Sequence, residues 1–144
     1  MKTFRDLAET QQQLLLRYPV YITLLAAAKE NKPDAGEKKR ALQLSHIRTY
    51  TAPEPLRDFY REAEKVFEPA LNELDSILPG AANERESLIT ERLKEIEEIT
   101  LKLDPHYASM LMESMEGFRR HVSRAHNNVL EYLIFPVSLS KVVR

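Results

Sequence analysis

Apolar positions recur every three to four residues through most of the chain, the spacing of one face of an α-helix. Phe4, Leu7, Ala8, Leu14 and Leu15 mark the first such face, interrupted by Gln11, and predict an amphipathic helix over about residues 4–17. A second helix follows, with Val20, Ile22, Leu24, Leu25 and Ala26 to Ala28 as its apolar residues. Pro19 suits its first turn, where the missing N–H costs little. The run Lys29-Glu30-Asn31-Lys32-Pro33 breaks the pattern, because the residue before a proline is steered away from the helical region. Asp34 then offers an N-cap and Glu37, three residues on, completes a reciprocal cap, predicting a third helix over about 35–49. Ala41, Leu42, Leu44, Ile47 and Tyr50 fall on several sides of that helix, which marks it as the expected central one.

Thr51-Ala52-Pro53-Glu54-Pro55 is a stiff connector. Beyond it Leu56, Phe59, Tyr60, Ala63, Val66, Phe67, Ala70, Leu71, Leu74, Ile77 and Leu78 hold one stripe straight through Pro69. Either a kinked helix or two helices end to end would carry that stripe. Pro79-Gly80-Ala81-Ala82-Asn83 reads as a loop, with Asn83 and Glu86 as the next helix start. Leu88, Ile89, Leu93, Ile96, Ile99 and Leu103 give that helix its buried face. Glu84, Glu86, Glu91, Glu95, Glu97 and Glu98 give it a solvated acidic one. Asp104-Pro105 starts the last helix, which runs toward Phe135 and ends at Pro136. Its methionines, Met110 and Met115 among them, sit at core spacing, although methionines also line adaptable grooves. Gly117 inside it marks a bend or a close approach. The expectation is an all-α, single-domain bundle of about six to seven helices over residues 1–144, packed around the Tyr18–Arg40 hairpin.

Composition removes several chemistries. At 144 residues, 43% hydrophobic and 30% charged, the chain is long enough to bury one core. Lys and Arg total 21 against 22 Asp and Glu, so charge gives no case for nucleic acid. Cysteine is absent, which eliminates disulfides and thiolate chemistry and fits a cytoplasmic protein. Three scattered glycines cannot form a phosphate-cradling loop or a dinucleotide fingerprint. The acid-bearing N-terminus does not read as a signal peptide, and no apolar run approaches the ~18 residues of a membrane span.

Two constellations carry candidate chemistry. His121 and His126, five apart on one helix, rotate away from each other and would not chelate one metal alone. His126 lies on the apolar face, one turn from Val122 and Leu130, where an imidazole needs a partner. His46 shares a helix side with Leu42 and Tyr50 and is expected to turn inward. One reading makes these core or boundary histidines. The alternative gathers His46, His121 and His126 with a carboxylate such as Glu113 or Glu116 into the site of a metalloenzyme. No histidine follows a glutamate by three, so a di-iron bundle is not indicated. Ser138 and Lys141 match the spacing of a nucleophile pair by chance, and Lys38-Lys39-Arg40 and Arg119-Arg120 read as solvated faces.

The second constellation is the loop Glu30-Asn31-Lys32-Pro33-Asp34-Ala35-Gly36-Glu37 after Leu24-Leu25-Ala26-Ala27-Ala28. It resembles the tellurite-resistance TerB-like family, in which an alanine-rich helix leads into an Asp-Gly-x-(Ile/Val)-Asp-x-x-Glu loop. Asp34 and Glu37 match that loop, whereas Glu30, Asn31 and Pro33 stand where it has Asp, Gly and a β-branched residue. The resemblance implies a helical domain that acts through protein partners in stress-response or membrane-associated complexes, non-catalytic, with Ca2+ or Mg2+ held at Glu30, Asp34 and Glu37. A second acidic loop would fall after the Leu88–Leu103 helix, where the chain offers only Asp104-Pro105-His106. From the residues alone, Asp34 and Glu37 are as well used as helix caps, and the basic residues around them disfavour a hard cation.

Overall fold

Every regular element among the described residues is helical. The computed structural model describes residues 1–28 and 35–134, leaving out the side chains of 35–38, 40, 41, 50 and 123–134. The Lys29–Pro33 break, the Asp34 cap, the Pro136 stop and the Ser138/Lys141 pair lie outside the described residues. A 3-10 turn at Phe4–Asp6 precedes α1 (Glu9–Leu16), α2 (Tyr18–Ala28), α3 (Ala35–Thr51), α4 (Glu54–Ile77), α5 (Ala82–Thr100) and α6 (Pro105–Ile134). No helix of the described residues is long and apolar enough to cross a membrane.

The helix expected over 4–17 is in fact divided. Leu7 and Ala8 are extended, which lets the Leu7 side chain enter the core at 6% exposure. The amide of Gln12 satisfies the carbonyls that the break releases, donating to Arg5 O at 3.0 Å and Leu7 O at 2.9 Å.

The central helix is α2, not α3. It packs against α1, α3, α4, α5 and α6 and buries nine of its residues, among them Tyr18, Pro19, Tyr21 and Thr23. A helix apolar on every side has no solvent face to lose, so surrounding it with the others is the arrangement that shields it best. Its buried Thr23 hydroxyl donates to Pro19 O at 2.9 Å. The α3 helix does touch several neighbours, α2, α4 and α6, as its scattered apolar residues imply. Ile47 nevertheless stays 52% exposed.

The α4 stripe belongs to one continuous helix. Pro69 sits on its exposed side, where water can take the carbonyl it leaves unpaired, while Phe67, Ala70 and Leu71 keep the inner face buried. Phe59 anchors the core edge-on to Phe4 (centroids 5.8 Å apart) and to Tyr60 (5.4 Å). Ile77, expected in the stripe, is 67% exposed, because the inward face of α4 ends at Leu74.

Asn83 does not cap α5. The helix begins earlier, at Ala82, and Arg85 closes the turn instead. Its guanidinium reaches back to pair with the Asp75 carboxylate and donates to Pro79 O (3.2 Å) and Asp75 O (3.4 Å), leaving the side chain only 4% exposed. The expected Asp104 cap is present: its carboxylate accepts the amides of His106 and Tyr107 at 3.1 and 3.2 Å. Gly117 marks a close approach, since a β-carbon there would lie 3.1 Å from Arg48 Nη2.

Candidate functional site

Most of the residues expected to bind a metal lie outside what the structure describes. Glu30 and Asp34 lie outside the described residues, as do the side chains of Glu37 and His126. His46 faces outward rather than inward, with 59% of its side chain exposed. The turn of α3 that carries it lies beside α4, so Nδ1 pairs with the Glu64 carboxylate, whose other oxygen accepts from Thr49 Oγ1 at 3.1 Å. His121 is half-buried on α6. Glu116 is engaged by Arg119, and Glu113 is exposed. Among the described residues no three His, Asp or Glu side chains form a group that could hold a metal ion.

A different site lies where α2, α5 and α6 meet. Tyr18 and Ile22 on α2, Leu93 and Glu97 on α5, and Met112, Met115, Glu116 and Arg119 on α6 enclose a cleft of about 150 Å3. The spacings explain the convergence: Tyr18 and Ile22 are four apart, as are Leu93 and Glu97, so each pair presents one helix face. Met115 is 1% exposed and forms part of the core, while Met112, one turn away, remains 40% exposed. The two methionines thus divide between core and groove.

The polar groups of the cleft are unevenly satisfied. Arg119 Nε donates to Glu116 at 3.2 Å and its Nη2 pairs with the same carboxylate, which it holds below the usual carboxylate range against a smaller effect of desolvation. Arg120 Nη1 stands 3.7 Å from Glu116. Glu97 has no ion-pair partner among the described residues. Tyr18 is only 6% exposed, and its hydroxyl has no hydrogen-bond partner among them. Burial first, then the charges of Glu97 and Glu116, push the Tyr18 phenol up to about 12. The lining carries two carboxylates against one guanidinium, an excess of one negative charge.

A wider depression of about 400 Å3 is lined by Asn83, Glu86, Ser87, Thr90, Glu91 and Lys94. All six belong to α5, and no residue of another element joins them among the described residues. The three-helix cleft, with an apolar floor and convergent polar groups, is the better formed site.

In the sequence Glu97 reads as part of a solvated face and Tyr18 as the start of the Tyr18–Arg40 hairpin, and neither is joined to a site. The available signal was Tyr18 itself, a polar-tipped ring in the first turn of an otherwise apolar helix, whose hydroxyl must find a partner or an opening. No family model, no curated protein and no solved structure matches the chain.

Proposed function

We propose that this chain is a non-catalytic helical module that binds a protein partner, and that the cleft between α2, α5 and α6 is where the partner is anchored. The observation that carries this reading is the size and lining of the cleft. Its volume of about 150 Å3 is half or less of the ~300–1,000 Å3 typical of small-molecule pockets. It does suit one side chain of a partner, and buried side-chain anchors of that kind dominate the energetics of protein interfaces. A half-exposed methionine at the rim adds an adaptable apolar contact.

The TerB-like resemblance, mainly of residues 14–60, belongs to the same proposal and points to a cytoplasmic stress-response complex, with Ca2+ or Mg2+ weakly held at Glu30, Asp34 and Glu37. The cysteine-free composition agrees with a reducing compartment. Thermal unfolding with chelator, calcium or magnesium tests the ion: a shift with one of them supports it, and identical curves remove it.

Partner binding is tested by comparative affinity capture with the wild-type chain, Met112→Arg in the cleft rim and Ile77→Arg on the exposed end of α4. The reading requires a protein held by wild type and Ile77→Arg and lost with Met112→Arg. Equal capture by all three would overturn it.

A further inference from the structure

We infer that the cleft takes one lysine side chain of the partner, with its ammonium between the Glu97 carboxylate and the Tyr18 hydroxyl and its methylene stem along Leu93 and Met112. This rests on the partner-binding reading and specifies the chemistry of the occupant.

Charge selects a cation. The lining has one carboxylate in excess, and the Glu97 carboxylate is the one without a counter-ion among the described residues. A hydroxyl open to the cleft selects a donor: Tyr18, which lines the cleft, has a hydroxyl that bonds to none of the described residues and is not sealed from solvent, so it can accept from an ammonium. The apolar walls select a long aliphatic stem, the part of a cationic side chain that packs while its head stays polar. Lysine is favoured over arginine by geometry. The Glu97 carboxylate is open to either cation, but a guanidinium's planar fork is best served by two oxygens of one carboxylate, an arrangement Glu116 already gives to Arg119, whereas a carboxylate beside a hydroxyl suits donors that point in different directions. An ammonium is a compact charge with three donors and is served by one carboxylate plus a hydroxyl.

The test uses the whole chain, labelled with 13C at the methionine methyls and assigned by substitution, titrated in phosphate buffer with Nα-acetyl-lysine N-methylamide. The Met112 and Met115 methyl signals should shift and saturate in the millimolar range. Glu97→Gln should weaken the binding at least tenfold, as expected for loss of a charged hydrogen bond. Tyr18→Phe should weaken it severalfold. Glu97 is exposed, so its variant keeps the fold, and unchanged methyl signals before titration verify this.

The inference is overturned if the lysine probe causes no shift or if Glu97→Gln responds as wild type does. It is also overturned if the uncharged norleucine analogue shifts the same methyls equally, which would make the occupant apolar. Methyl shifts that follow protein concentration without any probe would make the occupant a second copy and overturn it too. Failure here alongside Met112-dependent capture removes the lysine and leaves the binding module, whereas failure of the capture experiment removes the module itself.

Discussion

Removing either member of the Arg85–Asp75 pair should destabilise the protein, but by unequal amounts. The Arg85 side chain is 4% exposed and that of Asp75 28% exposed. In Arg85→Met the aliphatic stem is largely replaced, and the abandoned carboxylate can turn to water. The cost is then about one charge-assisted hydrogen bond, ~1.5–3 kcal/mol. In Asp75→Ala the guanidinium stays buried with only the carbonyls of Pro79 and residue 75, and Arg85 Nε has no hydrogen-bond partner even in the wild type. An uncompensated buried charge costs ~3–5 kcal/mol. Against a total stability of ~5–15 kcal/mol, both losses are measurable by urea unfolding. At ~1–3 kcal/mol per molar of urea, the two midpoints should differ by roughly 1 M. The double variant should be more stable than Asp75→Ala alone, because it no longer buries a lone cation. Equal costs for Arg85→Met and Asp75→Ala, or losses that simply add, would contradict a stranded buried guanidinium as the source of the difference.

Tyr107→Phe should leave stability within about 1 kcal/mol of wild type, since the buried Tyr107 hydroxyl lies by the Phe4 backbone without a well-formed hydrogen bond to it; a larger loss on urea unfolding would contradict this. Gly117→Ala should gain up to ~1 kcal/mol of helix propensity, because Arg48 Nη2, 3.1 Å from the new β-carbon, ends a pliant side chain and can yield. A comparable loss would mean that Arg48 is fixed. Of six tyrosines, Tyr18 and Tyr107 are pushed to about 12 and Tyr60 is raised, in each case chiefly by burial. Unfolded tyrosine ionises near ~10, so their contribution to stability is complete below that pH and is lost as the pH rises toward the folded values. Absorbance titration of phenolate should therefore resolve a late-ionising class. A single step near 10 for all six would refute it.

The helices were legible because their apolar spacing is local information. Leu56 to Leu74 on α4 and Tyr107 to Val122 on α6 are buried as the three-to-four rhythm requires. Asp104 was legible for the same reason, a cap being a contact within one turn. What the pattern could not carry was rank among helices. A helix with apolar residues on several sides, α3, resembles a central one, but α2, apolar all round, takes the centre once five neighbours compete for it. Arg85 was illegible because a charged residue reads as solvated until the Asp75 and Pro79 acceptors of the preceding turn enclose it. The cleft was hidden likewise. Tyr18, Glu97 and Met112 lie far apart in sequence and become neighbours only through the packing of α2, α5 and α6.

A protein partner seated in this cleft must touch the residues at its rim. A photo-crosslinking amino acid placed at Met112, 40% exposed beside the cleft, is compared in cells with the same group at Ile77, 67% exposed on α4. Position 112 should give a discrete covalent adduct that weakens with Glu97→Gln and is absent from position 77. No adduct at 112, or the same adduct from both positions, would contradict it.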